Sequence, residues 1–298
     1  MPGPERPALR NRLPNYVLRF TFYVPPMFHL HHIDTLDDSP DLAPYRTMRR
    51  PLGHVKDRLF VAEGDKVVQR LLESDFEVIS AIMPEHCLAA LEPLLQARPE
   101  NLPVYIVPLR ELDKMVGFHL YQGVMAVARF PTPLSLDQIL ARSPHPRLLL
   151  ALDGLANAEN LGVIIRNAAA FGVQALIAGE TCATPYLRRS VRNSMGTIFK
   201  LPVVESPDLV AALRTLRAAG VKCVAAHGSA RGLTLSQCDL RGDCCIVLGS
   251  EGHGLSPAAL EACDEHVSIP MALDVDSINV SNASAVFLYE AARQRGRM

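Results

Sequence analysis

Three short segments carry the residue types that do chemistry. The first, Asn157-Ala158-Glu159-Asn160-Leu161-Gly162-Val163-Ile164-Ile165-Arg166, sets amides, a carboxylate and a guanidinium in one helix-length run. Asn160 is suited to cap that helix, and Gly162 lets another backbone approach its first turn. Arg166 follows Asn160 by six residues, about one and two-thirds helical turns, among otherwise apolar neighbours. A guanidinium so placed needs a partner. Two readings stand open: a structural ion pair with Glu251, or a clamp for a substrate phosphate.

The second segment is Leu248-Gly249-Ser250-Glu251-Gly252-His253-Gly254-Leu255-Ser256-Pro257. Its glycines do not follow GxGxxG and come late in the chain, so a dinucleotide fingerprint is not supported. Glu251, held between glycines at a strand end, is its most informative residue, and His253 is expected to be exposed and incidental. Ser256 with Pro257 marks a helix start. The third segment is Asp276-Ser277-Ile278-Asn279-Val280-Ser281-Asn282. In an extended lead-in, alternate residues share a side. Ser277, Asn279 and Ser281 would therefore face a common partner, and a helix cap needs only one of them.

Positioning these segments requires strands that end beside one another. Arg147–Leu152 and Ile246–Leu248 are apolar on both faces, as in central strands of a parallel sheet covered by helices. Val267–Met271 forms a further short run, and a last helix is expected over about 280–293. Upstream, strands near 59–62, 76–83, 103–107 and 123–129 alternate with helices over 64–73, 84–97 and 109–116. That unit closes at Phe130-Pro131-Thr132-Pro133, a domain boundary by composition.

An apolar share of 49% with 20% charged residues over 298 positions is that of a globular chain with one large domain or two ordinary ones. No run spans a bilayer, so no membrane role is expected. Seven cysteines show no CxxC pair and read as reduced core thiols of a cytoplasmic protein. His29-Leu30-His31-His32 has no second ligand pair and reads as a solvated cluster, so no metal is expected. With a net charge of −1, nucleic-acid contacts must come from local clusters. Arg46, Arg49 and Arg50 form one, and Arg188, Arg189 and Arg192 another.

Together the three segments resemble the SpoU/TrmH-type RNA 2′-O-ribose methyltransferases of the SPOUT class. The resemblance runs over roughly 148–295, through Asn160-Leu161-Gly162 with Arg166, Leu248–Leu255, and Ile269-Pro270-Met271 followed by Ser277–Ser281. Phe60–Gly64 and Gln122-Gly123-Val124 are similar to the family's smaller substrate-binding domain, of ribosomal-protein-L30e type. The implied fold is α/β: a small L30e-like domain preceding a parallel-sheet SPOUT domain whose C-terminal segment forms a trefoil knot. The implied boundaries are a poorly ordered extension over 1–40, the small domain with its basic lead-in over 41–130, a linker and first helix over 131–145, and the methyltransferase domain over 146–298.

The resemblance further implies a homodimer that binds S-adenosylmethionine and acts on tRNA or rRNA. Leu248, Gly249, Gly252, Ile269, Met271, Ile278 and Ser281 would hold the cofactor, and Asn160, Arg166, Glu251, Ser277 and Asn279 would form the catalytic group. One departure is Leu273, where the family commonly has glycine; the chain is expected to pass there at negative φ. Two other functions remain in view. A non-catalytic RNA-binding relative would not need Arg166, Glu251, Ser277 and Asn279 together, and a nucleotide-dependent oxidoreductase would carry its phosphate loop after the first strand.

Overall fold

The computed structural model describes residues 28–34, 40–117, 119–120, 122–228, 232–273 and 275–297. The N-terminal part builds a five-stranded sheet from β1 (Phe28–His32), β2 (Leu59–Glu63), β3 (Val78–Met83), β4 (Leu102–Ile106) and β5 (Met125–Arg129). Its order is β1-β4-β3-β5-β2. β5 lies antiparallel to both neighbours, while β4 is parallel to β1 and β3. Helices α1 (Ala43–Arg46), α2 (Pro51–Lys56), α3 (Asp65–Leu72), α4 (Glu85–Gln96) and α5 (Leu109–Val116) connect and cover these strands.

The expectation of a poorly ordered extension over 1–40 is corrected from residue 28 onward; residues 1–27 and 35–39 lie outside the described residues. Phe28–His32 is an edge strand registered on Leu102–Ile106. His29, Leu30 and His31 are exposed on it, so ladder hydrogen bonds to β4 and the buried Phe28 hold the strand.

The C-terminal part contains α6 (Leu136–Arg142), β6 (Leu148–Leu152), α7 (Ala158–Ala170), β7 (Ala175–Ala178), α8 (Arg188–Asn193), β8 (Val203–Glu205), α9 (Leu209–Ala218), β9 (Lys222–Ala226), β10 (Leu233–Thr234), β11 (Cys244–Leu248), α10 (Pro257–Glu261), β12 (Glu265–Ser268) and α11 (Val280–Gln294). Its seven strands run in the order β10-β12-β9-β11-β6-β7-β8, and every pair is parallel. As their two-faced apolarity requires, β6 and β11 are buried throughout and lie side by side at the centre. Leu148, Leu150 and Leu152 face α7 and α11 with Leu161, Ile164, Phe287 and Leu288. Leu149 and Ala151 pack on the other face with Leu213, Leu216 and Ala259 of α9 and α10.

The first of these cores runs on into the small sheet, where Phe60 lies 5.9 Å from both Tyr186 and Phe199 between ring centroids. Cys223, Cys238, Cys244, Cys245 and Cys263 are buried thiols. Burial pushes Cys223, Cys238 and Cys263 up to about 12. No helix among the described residues is long and apolar enough to cross a membrane.

Candidate active site

Pairing register brings three strand ends to one edge. Val247 stands level with Ala225, and Ala225 with His266, so β9, β11 and β12 finish side by side. The turns that leave them enclose a cavity of about 530 Å³ lined by Leu248, Gly249, Gly252, Ile269, Met271, Ser277, Ile278 and Asn279. Glu251 and Asp276 add carboxylates to the same lining. Ligand sites in parallel sheets form at such strand C-termini, and the volume falls within the roughly 300–1,000 Å³ usual for small-molecule sites.

The glycine turn is built by close approach. Ser250 and Gly254 exchange backbone hydrogen bonds of 2.9 and 3.0 Å, folding the turn back on itself. A Cβ at Gly249 would lie 2.2 Å from the Gly254 carbonyl carbon and 2.3 Å from the Leu255 nitrogen, so only glycine fits there. Ser256 caps α10 by accepting from the Ala259 N–H, with Pro257 opening the helix as expected. The Asp153 carboxylate, in the loop after β6, accepts from the Ser256 N–H at 2.7 Å.

Opposite the turn stands the first coil of α7. Asn157, not Asn160, caps this helix, accepting from the N–H groups of Glu159 and Asn160. The helix starts one turn earlier than the spacing suggested, and that frees the Asn160 side chain. Its Nδ2 donates to Glu251 Oε1 at 2.8 Å, and its Oδ1 accepts from Asn279 Nδ2 at 3.2 Å. Asn279 in turn caps α11 by accepting from the Ser281 N–H. One chain of hydrogen bonds therefore joins all three segments. Gly162 behaves as expected: a Cβ there would meet the Ser190 carbonyl oxygen at 2.5 Å, so α8 crosses directly on α7.

Several expected site residues sit elsewhere. Ser281 is buried and absent from the cavity lining; its hydroxyl donates to Asn279 Oδ1 at 2.6 Å, so it orients Asn279. Arg166 is exposed. The burial argument for it therefore fails, and Glu251, its suggested partner, takes Asn160 instead. Arg166 shares the outward stripe of α7 with Glu159, Val163 and Ala170; α11, which packs on α7, exposes Val286 and Tyr289. Asn167, one residue on, ties α7 to α11 through the Ser281 carbonyl and the Ser284 hydroxyl.

Leu273 adopts φ +59° and is 95% exposed, which corrects the negative-φ expectation. A leucine in the left-handed region carries roughly 1–2 kcal/mol of strain that glycine would avoid.

A second, larger groove of about 1,130 Å³ is lined by Arg49, Arg188, Arg189 and Arg192 together with Asn157 and Glu159. It thus abuts the N-terminal end of α7. Arg46 and Arg50 lie outside its lining. The Arg188 side chain is only 14% exposed, and both it and Arg192 bind the buried Glu63 carboxylate. Arg189 faces Glu159 at 3.8 Å with both side chains exposed.

Sequence reasoning missed Asp276 and the turn after β9, where His227 and Gly228 line the cavity. The signal was present: a strand at 221–226 runs into His227-Gly228-Ser229, the same pattern of strand then small polar residues that marked the other two turns. Among the described residues no group of three or more His, Cys, Asp or Glu is placed to hold a metal ion.

The profile of the SpoU rRNA methylase family matches residues 147–289, the span that contains all three segments. An uncharacterized tRNA/rRNA methyltransferase of Mycobacterium bovis is 36% identical over 276 residues, covering 88% of this chain and 94% of its own. The chain belongs to the SpoU methylase family. Within that family, the 23S rRNA (guanosine-2′-O-)-methyltransferase RlmB of Xanthomonas campestris is 37% identical over 203 residues, covering 67% of this chain and 81% of its own. The SpoU methyltransferase AviRb of Streptomyces viridochromogenes, solved in complex with AdoMet, superposes with a TM-score of 0.73 at 26% identity, over 86% of this chain and 98% of its own.

Proposed function

We propose that this chain transfers the methyl group of S-adenosylmethionine to a ribose 2′-hydroxyl of structured RNA, with ribosomal RNA as the substrate class. The observation that carries the reading is the hydrogen-bonded line Glu251–Asn160–Asn279, whose two ends line a glycine-walled cavity. The cavity suits the cofactor in size, and its carboxylates, Glu251 and Asp276, complement a molecule that carries a sulfonium and an ammonium group. Leu248, Gly249, Gly252, Ile269, Met271 and Ile278 would hold it, largely through backbone groups. When bound, it supplies an electrophilic methyl group.

The chain's own residues then have to place the ribose and manage one proton. Arginine is protonated in proteins and offers donors only, so Arg166 is assigned to orient the 2′-hydroxyl and its neighbouring phosphate, and a substrate phosphate oxygen takes the proton. Positioning of this kind supplies several kcal/mol without any base. Asn160 and Asn279 fix the Glu251 carboxylate, and Ser277 stands at the same opening.

Arg166 and Val163 on the outward stripe of α7, together with the exposed Val286 and Tyr289 of α11, fit a homodimer in which a second copy covers both helices and completes the site. A trefoil knot belongs to the same reading. β11 lies between β6 and β9, both earlier in the chain, a strand order that accords with such a path. Residues 41–130 would serve as the RNA-binding domain and 146–298 as the catalytic one, with the arginine groove as the RNA track, in the cytoplasm. The reading is tested with labelled S-adenosylmethionine, deproteinised 23S rRNA and total tRNA. Label retained as a ribose-methylated nucleotide in the ribosomal RNA supports it; label found only on a base overturns it.

A further inference from the structure

The arginine groove has walls from both parts of the chain. Met48 and Arg49 come from the segment ahead of β2, and Arg188, Arg189 and Arg192 from α8 beside the catalytic sheet. Such a groove exists only while the two parts are docked. At the junction stands Glu63, the last residue of β2, 7% exposed. Arg188 Nη1 donates to its Oε2, and Arg192 Nη1 donates to its Oε1 at 2.9 Å. The Arg192 side chain remains 56% exposed, so one residue both grips Glu63 and lines the groove.

The same junction has two further ties. Arg70 of α3 donates to the Met195 carbonyl just after α8, and Phe76 lies 5.3 Å from Phe199 and 6.0 Å from Tyr186 between ring centroids. From α8 the contact runs straight to the site: Ser190 donates to the Ala158 carbonyl at 2.9 Å and presses on Gly162, two residues from Asn160.

We propose that Glu63 is a positioning residue for the RNA substrate, a latch that holds the small sheet against α8 so that Arg49 and the α8 arginines form one phosphate-binding track. This rests on the groove being the RNA track. A carboxylate beside a phosphate track weakens RNA binding by simple electrostatics, and removing it would then tighten binding. The latch has the opposite sign, because loss of the carboxylate separates the walls of the groove.

The test compares filter binding and methyl transfer on deproteinised 23S rRNA for the full-length wild type, Glu63→Gln and the charge-neutral Phe76→Leu, which loosens the same junction. S-adenosylhomocysteine affinity by calorimetry serves as the fold control. The latch predicts that Glu63→Gln raises the RNA Kd and KM about tenfold or more. kcat at saturating RNA and S-adenosylhomocysteine affinity stay within about twofold. Phe76→Leu shifts KM in the same direction, and it decides the matter if Glu63→Gln fails to fold. RNA binding as tight as wild type, or tighter, in either variant that retains S-adenosylhomocysteine overturns the latch. Arg49→Gln and Arg189→Gln separate the two premises. If they weaken RNA binding while Glu63→Gln does not, only the latch fails; if they leave binding unchanged, the groove reading fails with it.

Discussion

Adding a single methyl group at Gly249 should disable the glycine turn after β11, while the same change at Gly252 should not destabilise the fold. At Gly249 the new Cβ would sit 2.2–2.4 Å from the carbonyl carbon and oxygen of Gly254 and the nitrogen of Leu255. These are backbone atoms of a turn that is itself closed by the Ser250–Gly254 hydrogen bonds, so no flexible side chain can swing aside. Overpacking of this kind costs about 1–3 kcal/mol, and relief requires β11 and the first turn of α10 to separate. At Gly252 a Cβ meets nothing within 4 Å. Gly249→Ala should therefore lower Tm by about 2–4 °C for each kcal/mol lost. It should also weaken S-adenosylhomocysteine binding by roughly 10- to 100-fold, since each 1.4 kcal/mol is tenfold. Gly252→Ala should melt with the wild type. Scanning calorimetry and titration calorimetry read both quantities. A Gly249→Ala protein that melts and binds like wild type, or a Gly252→Ala protein that melts as low as Gly249→Ala, refutes the close-approach argument.

Arg166→Ala should lower methyl transfer by about 10²-fold, the scale of a lost transition-state contact, with S-adenosylhomocysteine affinity unchanged; near-normal turnover would remove Arg166 from the site. Asn160→Asp replaces the amide that donates to Glu251 at 2.8 Å with a second carboxylate, and two like charges in place of that hydrogen bond repel. Methyl transfer should fall below wild type while Asn160→Gln, which keeps a donor, falls less; equal rates in the two variants would contradict this. Val286→Glu puts a charge on the exposed side of α11, where Val286 is 39% exposed and Tyr289 49%. The proposed homodimer predicts that sedimentation velocity shows a dimer for the wild type and a monomer for the variant; a wild-type monomer, or a dimer in both, would refute this interface.

The parts of the site made by backbone geometry were legible in the sequence, and those made by side-chain reach were not. A glycine needed for close approach can announce itself, as Gly162 did; Gly249 drew notice only through the resemblance, although a side chain there would meet backbone just as closely. Asparagines do not. Asn157, Asn160 and Asn279 each precede or open a helix, and any of them could have been a simple cap. Only the coordinates show that Asn157 and Asn279 cap while Asn160 bridges to Glu251. Arg166 was open to a better reading. With Leu161, Ile164, Ile165 and Ala168 on the buried face, helical spacing puts 166 on the stripe of 159, 163 and 170. Its apolar sequence neighbours suggested burial where the periodicity already argued against it.

Strand adjacency lies further out of reach. β6 and β11 are short, apolar and buried throughout, and β9 is buried at its three central residues, so nothing local distinguishes β11 paired between the other two from β11 added at an edge. That choice depends on long-range hydrogen bonding. The same choice brings Asp276–Asn279, which follow β12, against the turn after β9, where a Cβ on Gly228 would come within 3.8 Å of the Asp276 carbonyl. The cavity is thus a property of strand order as much as of motif. A circular permutant or truncation that keeps every motif but displaces β11 from the centre should lose the cofactor site while keeping its residues.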